Sequence, residues 1–242
     1  MSKEFQFTYK SIITGEEIPY NAMTVRNQRQ LIEILENIDS GVEEDINFIQ
    51  LLKRICGELI GIPYTNLFYN DFEYLVFLIR YRTYGETIRY HLTDESGEFL
   101  KGPSDKIREF KFNILKDINV PKVKDKKARA EIKMENGDIV IISPLYCEEY
   151  FNLNLDASET KLGLELITTS LRKFKRGDDQ IKEFFDINEK IEYIDKLSLK
   201  DLKRLTKNFE TFPRISLNKK ENVDGMVYRV SFGDMRSNFF EL

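Results

Sequence analysis

His91 is the only histidine in the sequence, and it limits the chemistry the chain can assemble. A Ser-His-Asp or Cys-His site needs an imidazole to move the proton, so any such site would have to be built on this residue. It sits between Tyr90 and Leu92 in an extended stretch, the position of a structural histidine. Cys56 and Cys147 stand alone and far apart, as small buried apolar residues of a reducing compartment do, although a disulfide between them stays open. Two thiols and one imidazole do not make a four-coordinate structural zinc set. No phosphate-cradling G-x-x-x-x-G-K-[ST], dinucleotide G-x-G-x-x-G or zinc-binding H-E-x-x-H is present. Carboxylates are plentiful, as in Glu43-Glu44-Asp45 and Glu148-Glu149, but they read as solvated helix faces from which no acid–base pair stands out. The expected catalytic, cofactor and metal residues are therefore none.

Two stretches point to binding. VPKVKDKKARA, Val120 to Ala130, carries Lys122, Lys124, Lys126, Lys127 and Arg129 and reads as a solvated basic linker. Phosphate or nucleic-acid contact is its alternative, although no aromatic residue interleaves for base stacking. The ending Ser237-Asn238-Phe239-Phe240-Glu241-Leu242 holds the candidate partner-binding residues Phe239, Phe240 and Leu242. Adjacent phenylalanines cannot both point inward from an extended strand, whose side chains alternate faces. The competing reading is a last helical turn docked on its own domain.

The elements that would position these residues alternate between hairpins and helices. The organising stretch is Asn70 to Glu86, NDFEYLVFLIRYRTYGE. Asn70 and Glu73 have capping spacing, apolar residues cover nearly all sides, and Gly85 ends the helix. Leu75 and Leu78 are expected in the core, and Arg80 and Arg82 are expected to lay their stems on apolar neighbours with heads in water or on a carboxylate. Before it come a hairpin from Phe5 to Met23 turning at Thr14-Gly15, a helix capped by Thr24, and a second helix carrying Ile46 to Leu59. After it, Thr87 to Leu92 and Phe110 to Leu115 should pair around a polar excursion.

The second half opens with strands Glu131 to Met134 and Asp138 to Ile142 around a two-residue Asn136-Gly137 turn. Ser143-Pro144 should cap and start a short helix, and Ser158 should open another running through Leu171. Asp178 to Lys196 should hold one or two short helices containing Ile181, Phe184, Phe185, Ile191 and Ile194. Ser198 and Asp201 cap the helix of Leu202, Leu205 and Phe209, and Ile215 to Leu217 should pair with Met226 to Phe232 through Asp224-Gly225. The phrase L-x-x-x-D-x-x-x-L occurs as Leu67, Asp71, Leu75 and again as Leu197, Asp201, Leu205. An internal duplication would account for it, with residues 1–118 and 131–242 as two hairpin–helices–hairpin halves joined by a basic linker, 119–130; the alternative is one α+β domain with no repeat. The expected class is α+β.

The motif D-F-E-Y-L-x-x-x-I-R-x-x-x-x-G-E at Asp71 to Glu86 resembles the central motif of the baseplate hub family of T4-like contractile-tailed phages. A second match runs from Leu162 to Phe212, through LGLELITTS and KLSLKDLKRLTKNFETFP. The resemblance covers most of the chain in order, and that family includes a small hub subunit and a hub assembly factor. It implies a structural or assembly role, with other hub or tail proteins as partners and a place in the host cytoplasm during assembly or in the virion tail baseplate. Many relatives carry Cys-x-x-Cys pairs in the β segments after each D-x-x-x-L helix. This chain has no cysteine from Tyr84 to Asn119 or from Phe212 to Leu242, so its hairpins should hold by apolar packing and bind no zinc.

Composition fits this reading. Of 242 residues 41% are hydrophobic and 32% charged, which suits a soluble globular protein large enough to bury a core. The net charge of -4 gives no whole-chain footprint for nucleic acid. No apolar run is long enough for a signal peptide or a membrane span, and no small-molecule substrate or cofactor is indicated. Two alternatives remain: a cytoplasmic enzyme with a diffuse carboxylate site, and a nucleic-acid-binding regulator using Lys122 to Arg129.

Overall fold

The computed structural model describes residues 4–30, 57–94, 96–102, 105–121, 128–154, 157–176 and 179–231. The fold is α+β, with helices set among small antiparallel sheets. Strands β1 (Phe7–Lys10) and β2 (Glu17–Tyr20) form the opening hairpin, with Gly15 at φ +73° in its turn. Thr24 caps helical residues 25–30: its Oγ1 accepts from Asn27 N at 3.2 Å, and Asn27 Oδ1 accepts from Thr24 N at 2.9 Å. The expected helix around Ile46 lies outside the described residues except at its end.

Helix α1 (Tyr69–Tyr84) is the centre of the first core. Phe72, Leu75, Val76, Phe77 and Ile79 are buried along it, and Leu75 is 0% exposed. Leu78 and Tyr81 are only half-buried, so the helix has a partly wet side. Gly85 stands at φ +92° and donates its N–H to Tyr81 O at 2.9 Å, ending the helix in a conformation that a Cβ disfavours. Asn70 does not cap α1. The helix begins one residue earlier, and Asn70 Nδ2 instead donates to Pro213 O at 2.7 Å across the molecule. Arg80 also departs from expectation: it is 5% exposed, and its fork donates to Gly85 O at 2.8 Å and Thr87 O at 3.0 Å. A planar guanidinium can serve two carbonyls at once, and here it fastens the helix end to the next strand. Arg82 lies over the rings of Phe7 and Tyr81.

Strands β3 (Thr87–Tyr90) and β4 (Phe110–Asn113) pair as expected, with Ile88 opposite Phe112 and both fully buried. Leu115 leaves the sheet and lies, exposed, in the single turn α2 (Ile114–Asp117). Strand β5 (Ile118–Asn119) follows.

In the second half, β6 (Ala130–Lys133) and β7 (Ile139–Ile142) form a hairpin. Its loop is not a two-residue turn. Met134 N donates to Asp138 O at 2.8 Å, three residues lie between them, and only Gly137 has positive φ. A type I′ turn would require positive φ at Asn136 as well. Ser143-Pro144 does not start the next helix either: Ser143 is buried, and α3 (Cys147–Phe151) begins later, with Glu149 Oε2 accepting from Tyr146 N at 2.9 Å.

Helix α4 (Glu159–Ser170) stops one residue short of Leu171, which opens an unexpected strand, β8 (Leu171–Lys175). With β9 (Lys182–Glu183) it completes a four-stranded antiparallel sheet in the order β6-β7-β8-β9. Helices α5 (Ile187–Asp195) and α6 (Leu199–Phe209) cover that sheet. Ser198 caps α6, its Oγ accepting from Asp201 N at 3.1 Å.

The closing strands also differ from expectation. β10 (Ser216–Leu217) pairs with β5, while β12 (Met226–Arg229) pairs with β11 (Lys220–Val223). Asp224 and Gly225, at φ +53° and +85°, make the two-residue turn between β11 and β12.

Two apolar clusters result. The larger gathers on α1 and takes in Cys147, Phe151 and Val230 from the second half. The smaller fills the space between the four-stranded sheet and helices α4, α5 and α6. Residues 67–69 run beside residues 145–147: Tyr69 N donates to Leu145 O at 2.9 Å and Cys147 N to Leu67 O at 2.8 Å. Among the described residues no helix is long and apolar enough to cross a membrane.

Candidate functional site

The residues expected to touch partners, Phe239, Phe240 and Leu242, lie outside the described residues, as do Lys122, Lys124, Lys126 and Lys127 of the basic run. Cys56 and Glu43-Glu44-Asp45 lie outside them too. His91 is structural in its contacts: Nδ1 is 3.0 Å from Arg108 O and the ring meets Phe99 edge-on. Cys147 is buried, and burial first, with the nearby Asp71 carboxylate second, pushes its thiol far above the ordinary range. Glu149 is held by both terminal nitrogens of Arg172, so Glu148-Glu149 is not a free pair. Among the described residues no group of three or more His, Cys, Asp or Glu is placed to hold a metal ion.

The repeated aspartates have definite positions. Asp71, 1% exposed in the first turn of α1, accepts from Ser11 Oγ at 2.6 Å, Tyr9 Oη at 2.9 Å and Ile12 N at 2.8 Å. It grips the turn end of the β1–β2 hairpin. Burial raises its pKa, and the three hydrogen bonds pull against that rise. Asp201, 4% exposed in the first turn of α6, accepts from Glu135 N at 3.0 Å in the β6–β7 loop. Each aspartate therefore clamps the hairpin loop of its own half to a helix start. Leu75 and Leu205, four residues on, are both 0% exposed.

Two concave surfaces are candidates for binding. One is a cleft of about 470 Å³ between the halves, walled by Tyr69, Leu145, Tyr150, Leu162, Phe209 and Phe212. Glu73, Glu159, Glu210 and Arg214 also line it. Burial pushes the Glu73 carboxyl up to about 7, with a hydrogen bond from Tyr69 and the Arg214 charge opposing. The other is an apolar trough of about 630 Å³ between α4 and α5, with Leu164, Ile187 and Ile191 partly exposed along it. Neither surface was expected. The one advance sign of the trough was the apolar series Ile181, Phe184, Phe185, Ile191 and Ile194. Of these, Phe184 and Ile194 are buried, and Phe185 is 92% exposed.

These surfaces are suited to holding another chain: apolar walls supply burial, and rim charges select orientation. No curated protein and no solved structure matches the chain. The family model described as T4 bacteriophage base plate protein matches residues 3–225, a span that takes in the smaller apolar cluster, all of the larger one but Val230, and both aspartate clamps. The chain belongs to the T4 bacteriophage base plate protein family.

Proposed function

We propose that the chain is a non-enzymatic structural or assembly protein of the central baseplate hub, acting through contacts with other hub and tail proteins. Its place is the host cytoplasm during assembly or the virion tail baseplate. The observation that carries this reading is the family match over residues 3–225. The exposed apolar residues of the trough and the β11–β12 ribbon, where Met226 and Val227 are over 60% exposed, also support it. Phe239, Phe240 and Leu242 are proposed as a further partner-binding element. The test is purification of a tagged copy from infected cells, with identification of what accompanies it. Recovery of hub and tail proteins supports the reading. A tagged protein that runs alone, or with nucleic acid only, contradicts it.

The division into halves 1–118 and 131–242 is proposed as an internal duplication. Its support is the matching work of Asp71 and Asp201 on the preceding hairpins. Superposition that sets Asp71 on Asp201 and hairpin on hairpin agrees with it, and unrelated topologies end it.

One observation favours a second reading. Glu73, pushed up to about 7 in a cleft with two other glutamates, has the poise of a general acid–base. Glu73→Gln separates the two readings: a structural role leaves phage infectivity intact, while an acid–base role abolishes it in a folded protein.

A further inference from the structure

The trough between α4 and α5 follows from how each helix divides its apolar residues. α4 gives Ile167 to the second cluster, while Leu164, nearly one turn earlier, stays 41% exposed. α5 gives Tyr193 and Ile194, while Ile187 and Ile191, one turn apart, stay 48% and 45% exposed. The exposed residues line a common space, which Leu153 also lines. A twelve-residue helix such as α4 is about 18 Å long. That is room for two to three turns of another helix.

The rim has a sign. Of the four charged residues along the trough, Glu149 is neutralised by Arg172, leaving Glu165 and Asp195 against Lys161. Acid predominates at the edge of an apolar channel. A guest helix would meet that channel with an apolar stripe at i, i+3 or i+4, and i+7, and with cations beside the stripe.

We propose that this trough receives an amphipathic helix with lysine or arginine flanks, belonging to another baseplate protein. The proposal rests on the reading of the chain as an assembly protein. The occupant is identified by charge: an acidic segment would be repelled by Glu165 and Asp195, and a wholly apolar one would leave the charge of both unmatched.

The experiment uses the full chain and two synthetic helical peptides of about 15 residues with the same leucine stripe, one flanked by lysines and one by glutamates. Binding is followed by calorimetry at low and at physiological salt. The lysine peptide should bind about tenfold tighter than the glutamate peptide at low salt, with the gap narrowing as salt rises. Leu164→Asp with Ile191→Asp, at exposed positions that leave the fold intact by circular dichroism, should abolish binding. Glu165→Lys with Asp195→Lys should reverse the peptide preference. Equal binding of the two peptides, no binding of either, or indifference to Leu164→Asp with Ile191→Asp overturns the proposal. So does a dimer in sedimentation that this variant dissociates, which would give the trough to a second copy of the chain. In phage, a normally assembled tail from the Leu164→Asp, Ile191→Asp variant, with assembly lost on deletion of the chain, sinks the trough and leaves the baseplate reading standing.

Discussion

Replacing Asp71 tests whether the clamp holds the first half together. Its two carboxylate oxygens serve three donors of the hairpin turn, and the loss differs from donor to donor. Ile12 N has a second acceptor in Tyr9 Oη at 3.2 Å, so it is not orphaned. Tyr9 Oη and Ser11 Oγ lose the acceptor for their protons. Ser11 Oγ is also fixed by accepting from Ile13 N at 3.1 Å and Thr14 N at 2.9 Å, so it cannot turn away to a new partner. Two orphaned buried donors at about 1–3 kcal/mol each give about 2–6 kcal/mol. Removing a desolvated carboxylate returns part of that, leaving about 2–4 kcal/mol for Asp71→Ala. Asp71→Asn keeps Oδ1 for Tyr9 and Ile12 and sets only an amide N–H against Ser11, so about 1–2 kcal/mol is expected. Urea titration reads both variants through the shift in midpoint at constant slope. Wild-type midpoints for both, or a larger loss for asparagine than for alanine, would refute this account of the clamp.

The remaining predictions concern the core, pH and the chain end. Leu75→Ala should cost about 2–5 kcal/mol by leaving a cavity, and Leu78→Ala less because that side chain is half-buried, both read by denaturant titration. Glu73 has a folded pKa raised above its unfolded one, so the folded state binds the proton more tightly. Wild-type stability should therefore fall as pH rises from about 4.5 through about 7, by about 3 kcal/mol at most. Glu73→Gln should remove that fall, which titrations at pH 5 and pH 8 will read. Deleting Phe239 to Leu242 should abolish co-purification with hub proteins at an unchanged melting temperature. A large drop in melting temperature would mean that the tail belongs to the core.

What could be read in advance was local. α1 was legible because apolar residues crowd it and Gly85 ends it. The Asp224-Gly225 turn was legible because both residues accept positive φ, and the α6 cap because Ser198 and Asp201 have capping spacing. Strand β8 was not, because Leu171 keeps the helical spacing of Leu164 and Ile167 and no glycine or proline marks the break. Pairing of β10 with β5, and of Asn70 with Pro213, joins residues about a hundred or more apart, which no local pattern encodes. The aspartate clamps left a trace in the repeated L-x-x-x-D-x-x-x-L, but only the fold shows that each carboxylate reaches back to a hairpin loop. The trough was hidden because Ile187 and Ile191 have the spacing of core residues, and only packing shows which side of α5 is covered.

The most direct measurement of the central claim is electron microscopy of tails from a phage that cannot make this chain. The account predicts partial assemblies without a completed central hub, no full-length tails, and restoration of both when the chain is supplied in trans. Full-length tails with complete baseplates, formed at wild-type yield without the chain, would contradict it.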